Sequence, residues 1–125
     1  MEGNIWTWKI IDNKTIAANN SFSSEEIDIA RFKATGDLSL QVEVSGSGKA
    51  TFSYELSNNY ADFVSPVGAS YIISSFSASS GTNSDGKDIQ PILLDMLAAF
   101  MRIKVTEVSG TGSVTVNAWI ALQEA

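Results

Sequence analysis

Phe100-Met101-Arg102-Ile103-Lys104-Val105-Thr106-Glu107 and Ser113-Val114-Thr115-Val116-Asn117-Ala118-Trp119-Ile120-Ala121-Leu122-Gln123, joined by Val108-Ser109-Gly110-Thr111-Gly112, decide the fold class of this chain. In the second run Val114, Val116, Ala118, Ile120 and Leu122 share one side, and Thr115, Asn117, Trp119 and Ala121 share the other. Successive residues of a strand face opposite ways, so each run reads as a half-buried β-strand. Phe100, Arg102 and Lys104 hold the off-core parity of the first run. Trp119 is the anomaly, because tryptophan on an outward face calls for a second layer: a partner subunit, a covering N-terminal strand or a stacked ligand. The reading predicts that Trp119 is substantially buried.

The same alternation recurs upstream. Leu38, Leu40, Val42 and Val44 alternate with polar residues, Gly46-Ser47-Gly48 turns the chain, and Ala50, Phe52, Tyr54 and Leu56 resume the pattern, which predicts a hairpin. At the N-terminus Trp6, Trp8 and Ile10 share one face; Asp12-Asn13-Lys14 is a turn signal and residues 15–18 a short return strand, so a second hairpin is expected there. Phe22 stands alone in a polar loop and is expected to anchor it. Residues 25–32 alternate weakly through Ile27, Ile29 and Arg31, with Phe32 on the other side, before Thr35-Gly36-Asp37 turns. Residues 71–74 suggest a short strand. Residues 77–87 form a long Ser/Gly/Asn-rich loop, a length usually kept for function or mobility. Around residues 92–100 an apolar stripe fits either a strand or one helical turn.

Eight or nine short strands with turn signals and no long helix predict an all-β, antiparallel β-sandwich of jelly-roll type, with a closed barrel as the alternative. At 125 residues one domain, residues 1–125, accounts for the chain, and it is large enough to bury a core without staples. The sequence has no cysteine, which removes disulfides and leaves the redox compartment open. A net charge of −6 and eight scattered basic residues oppose binding to phosphate backbones or anionic lipid, so neither nucleic acid nor membrane is expected as a partner. Residues 1–9 lack a basic region followed by an apolar one, so no signal peptide is expected and synthesis is placed in the cytoplasm.

For chemistry, the absence of histidine and cysteine removes the usual general bases, thiol nucleophiles and transition-metal ligands. Glu55, Asp62, Asp85, Asp88 and Asp95 are the carboxylates from which a glycosidase-like pair would have to come, but sequence places no two of them together. No enzyme activity and no cofactor are expected. Asn83, Asp85 and Asp88 around Gly86 offer oxygen ligands for calcium without EF-hand spacing, and the plainer reading is a surface turn. Tyr60, Phe63 and Tyr71 lie in or beside loops, where they line a glycan site or cap the end of a sandwich. Trp6 and Trp8 read as core or inter-subunit contacts, since tryptophan brings the largest apolar area.

Phe52-Ser53-Tyr54-Glu55-Leu56-Ser57-Asn58 with Phe63, then Ser84-Asp85-Gly86-Lys87-Asp88, then residues 100–106 and 114–121, resemble a small β-sandwich module of tailed-bacteriophage and prophage virion proteins. The resemblance covers a little over half the chain. It implies a capsid-decoration or tail-associated protein, located in the virion, that forms homo-oligomers and contacts other virion proteins. The same order of features is similar to discoidin-like carbohydrate-binding modules, which implies glycan contacts from loops at one end. On the virion reading, the interface is expected at Trp6, Trp8, Phe100, Arg102, Asn117 and Trp119; on the glycan reading, the site is Tyr60, Phe63 and Tyr71.

Overall fold

A computed structural model describes residues 5–30, 38–94 and 96–123. The expected strand through Arg31 and Phe32, the Thr35-Gly36-Asp37 turn and Asp95 fall outside them. Nine strands form among the described residues: β1 Ile5–Ile16, β2 Ser21–Ser23, β3 Ile27–Asp28, β4 Leu38–Gly46, β5 Lys49–Ser57, β6 Ile73–Ser77, β7 Lys87–Ile92, β8 Phe100–Glu107 and β9 Val114–Gln123. There is no helix among those residues, so the stripe near residues 92–100 resolves as the end of β7, a bend, and the start of β8.

All pairings are antiparallel, and they build two sheets, β1-β9-β4-β7 and β2-β8-β5-β6, with β3 also on β8. The pairs nest: β1 with β9, β2 and β3 with β8, β4 with β7, β5 with β6. The first half of the chain therefore pairs with the second half in reverse order, and this long ribbon is wrapped until β9 meets β4 and β8 meets β5. That is the double Greek key of a jelly roll.

The core lies between the sheets. Leu40, Phe52, Met101, Ile103, Val105, Val114, Val116 and Ala118 have no exposed surface, and the strictly alternating burial of β8 and β9 follows their sequence alternation residue by residue. At roughly 25 cal/mol per Å² of apolar area, each of these side chains larger than alanine contributes about 1.5–3 kcal/mol.

Two expectations about connectivity are corrected. β4 and β5 do not form a hairpin: the Ser47-Gly48 turn carries the chain from one sheet to the other, and each strand finds its partners elsewhere. The C-terminal pair behaves likewise, with β8 and β9 in different sheets. The physical reason is that alternation reports which face is buried and is indifferent to whether the next strand lies beside or opposite.

The N-terminal hairpin is also absent. β1 is one twelve-residue strand along β9, with register shifts between Lys9 and Ile11 and between Ile11 and Lys14. What looked like a turn at Asp12-Asn13-Lys14 is a β-bulge. Asn13 sits at φ 49°, a left-handed conformation that asparagine tolerates, and its N–H donates to Asn117 Oδ1 at 2.7 Å. The bulge switches parity, so Trp6 and Trp8 share a face with Ile11 and Ile16 rather than with Ile10.

Phe22 does pack on the core, but from within a strand, β2, where it pairs with Val105. The long loop 78–86 is closely tied. Gly86 donates its N–H to Ser80 O and accepts from Val44 N, both at 2.8 Å. It also lies at φ 75°, where a Cβ would strike the Val44 carbonyl. Only glycine fits that approach.

Candidate functional site

The six residues expected to share an interface are distributed over separate surfaces. Phe100 and Arg102 lie on the outer face of the sheet containing β8, whereas Asn117 and Trp119 lie on the outer face of the sheet containing β9. The sandwich separates them. Trp6 and Trp8 belong to edge strand β1 and are directed to the inner side, opposite Leu122 and Ile120, yet remain 44% and 42% exposed because β1 runs along the open margin of the sandwich.

Trp119 is half-buried. It stands between Lys9 on β1 and Gln41 on β4, and the Lys9 ammonium lies 5.1 Å from its ring centroid. Its cover is thus supplied by neighbours in its own sheet; β1 runs beside β9 and not over it. The Lys9 ammonium is also 2.9 Å from Asp12 Oδ1.

On the opposite outer face, Arg102 Nε donates to Glu55 Oε1 at 2.8 Å, and Ser23 Oγ donates to the same oxygen at 3.3 Å. Phe63 lies against the Arg102 guanidinium at 4.5 Å, and Tyr60 against Phe100 at 4.7 Å between ring centroids. The loop after β5 therefore folds back on its sheet, and the aromatics considered for glycan stacking are engaged with residues of β8. Tyr71 is apart from both. It is 65% exposed and lines a polar hollow of about 350 Å³ with Tyr54 and Lys104.

Two of the three calcium candidates, Asp85 and Asp88, are engaged locally. Asp85 accepts from Lys87 N at 3.2 Å, and Asp88 accepts from Ile89 N at 2.8 Å and from Gln90 Nε2 at 3.2 Å. Among the described residues no three acidic side chains gather as a metal site would require. Of the five carboxylates from which a pair would have to come, Glu55 is held by Arg102, and Asp62 accepts from Asn59 Nδ2 at 3.1 Å.

Two features escaped the sequence reading. The first is Glu107, at the end of β8 and almost fully buried. Its carboxylate accepts from the backbone N–H groups of Lys49 at 2.8 Å, Ser109 at 2.9 Å, Gly110 at 2.9 Å and Asn19 at 3.2 Å. One side chain thereby ties three connections at one end of the sandwich: β1 to β2, β4 to β5 and β8 to β9. Burial raises its pKa, but the Ser109 side chain and the backbone donors of Lys49, Gly110 and Ser109 outweigh burial and hold the carboxyl far below the usual range. Gly48 completes the nest, since a Cβ there would sit 2.7 Å from Glu107 Oε2. The signal was available: after Met101, Ile103 and Val105, a glutamate at the next inward position demands donors.

The second is an apolar end surface. Val64, Val67, Met96 and Leu97 are 62%, 105%, 48% and 82% exposed and line one hollow of about 480 Å³ together with Pro66 and Ala98. Its residues come from two loops, where no period-2 pattern draws attention to them.

The nested pairing places the chain in the jelly-roll class of all-β proteins. No family model matches the sequence, and no curated protein matches it. Among solved structures the chain is similar to VP2 of infectious bursal disease virus in its subviral particle, with a TM-score of 0.64, 9% identity, and coverage of 97% of this chain and 32% of that one. It is similar to dimeric latent PorU from Porphyromonas gingivalis, with a TM-score of 0.51, 12% identity, and coverage of 98% and 13%. The SPBc2 prophage-derived protein YomS aligns at a TM-score of 0.39, 18% identity, and coverage of 97% and 96%. The chain thus spans about a third of the VP2 chain. For VP2 and PorU, identities this low establish a shared fold and nothing finer.

Proposed function

We propose that this protein is a non-enzymatic structural component of a phage or prophage virion, acting through self-association and contacts with other virion proteins. The observation that carries the reading is the exposed apolar end formed by Val64, Val67, Met96 and Leu97 on a jelly roll whose fold is shared with a virus-particle protein. Contiguous apolar surface on a soluble domain marks a protein contact. Loop tips at the end of a sandwich suit lateral or end-on packing of identical subunits, because they project beyond the sheets. At roughly 25 cal/mol per Å², a few such side chains buried on each copy contribute a few kcal/mol per contact, which closed symmetry multiplies.

The sequence resemblance to tailed-phage virion modules supports the same reading. Under it the Arg102-Glu55 pair, with Phe63 against Arg102, holds the loop after β5 beside the contact surface, while Glu107 serves the fold at the opposite end of the sandwich. The test is light scattering on the intact chain together with its Leu97→Lys variant. The native chain is expected to form oligomers that the variant does not, with both showing the same far-UV dichroism. A native chain that stays monomeric at high concentration and also fails to bind purified virions contradicts the proposal.

A further inference from the structure

A second surface lies elsewhere, along the open margin of the sandwich. β1 is the edge strand of its sheet, and among the described residues no strand pairs with its other side. Beside it opens a cleft of about 610 Å³ between β1 and the segment that carries β2 and β3. Apolar groups line it: Trp8, Ile11, Phe22 and Ile27. Along its far rim stand Glu25, Glu26 and Asp28, all exposed. The two lysines of the cleft are already engaged, Lys9 with Asp12 and Lys14 against the Phe22 ring at 4.9 Å.

We infer that this cleft receives an extended segment of another protein, with Lys or Arg at alternate positions, added as a strand to the free edge of β1. Three properties select that chemistry. An uncovered strand edge offers a row of backbone donors and acceptors and is completed by an extended chain. An apolar lining with an acidic rim fits a side chain that is itself apolar along its stem and cationic at its head. Alternate residues of an added strand point to one side, so cations two apart would all reach the same rim. A second copy of this chain is a poorer occupant on charge. It carries −6 overall and would bring the same acidic rim to the contact. The inference goes beyond self-association and stands or falls separately, because the apolar end and the β1 margin share no residues.

The probe is a synthetic eight-residue peptide alternating threonine and lysine, compared with one alternating threonine and glutamate, titrated calorimetrically against the intact chain. The lysine peptide is expected to bind at least about tenfold more tightly, and to weaken by about tenfold when salt rises from roughly 50 mM to roughly 500 mM. Amide shift mapping is expected to place the largest changes on β1. The double variant Glu25→Lys, Glu26→Lys changes only exposed residues, so its fold is checked by its dichroism and unfolding midpoint, and it should lose about tenfold in affinity. Leu97→Lys should leave peptide binding unchanged. The inference is overturned if the two peptides bind equally or not at all, if charge reversal leaves affinity unaltered, if the shifts map away from β1, or if sedimentation shows the peptide displacing a second copy from that edge.

Discussion

Because the chain lacks cysteine, an engineered pair reports strand neighbours without interference. Ser39 on β4 and Ala121 on β9 are in-register partners in neighbouring strands, both small and both on the outer face. Antiparallel partners have Cα atoms about 4.5–5.5 Å apart, inside the range a disulfide spans. Ser39→Cys with Ala121→Cys should therefore oxidise spontaneously. The closed loop runs from residue 39 to residue 121, about 82 residues, so the chain-entropy expression gives about 4.5 kcal/mol as the upper expectation and about 2 kcal/mol if some strain is introduced. With a urea m-value of about 1–3 kcal/mol/M for a domain of this size, the oxidised protein should unfold between about 0.7 and about 4.5 M later than the reduced one. The control is Glu43→Cys with Thr51→Cys. Those positions would face each other in a β4–β5 hairpin, but here they lie on outer faces of different sheets, with sheets stacked about 10 Å apart. That pair should stay reduced. Ready oxidation of the control, or failure of the Ser39 and Ala121 pair, would refute the nested pairing and restore the hairpin.

Other consequences are more local. Glu107 has a native pKa depressed below its unfolded value, so the unfolded chain binds the extra proton first and stability falls as pH drops below the ordinary glutamate range, about 4.3. Urea midpoints followed from pH 7 down to pH 2 should lose less in Glu107→Gln than in the native chain, although the variant starts lower; equal slopes would show that the carboxylate is not held as described. At the bulge, Asn13→Gly should be nearly neutral, whereas Asn13→Val forces a β-branched residue to positive φ and should cost about 1–2 kcal/mol by chemical denaturation. Similar costs for both would argue against the bulge. Millimolar calcium should leave the thermal midpoint unchanged, since Asp85 and Asp88 already cap their own loop; a rise of several degrees would reveal a site there.

Strand existence and strand faces were legible because burial repeats every second residue, and β8 and β9 obey that rule without exception. Partner choice was not. Gly46-Ser47-Gly48 and residues 108–113 look like hairpin turns, and the same glycines serve equally well to pass the chain between sheets. This is why Arg102 and Trp119, on matching parity, turned out to lie on opposite sides of the molecule. Asp12-Asn13-Lys14 misled for a related reason, as a bulge and a turn both call for a residue that accepts positive φ. The apolar end was illegible because Val67 and Leu97 are ordinary residues in sequence and become informative only when two distant loops bring them together.

On the proposed function the chain acts by assembling, and the mass of the intact protein in solution reports whether it does. Light scattering between roughly 1 μM and roughly 1 mM spans the range in which an interface of modest area becomes populated. The expected result is a mass that rises from the 13.4 kDa monomer to a discrete multiple and returns to the monomer in Leu97→Lys. A mass fixed at 13.4 kDa across that whole range, in the native chain and the variant alike, would contradict it.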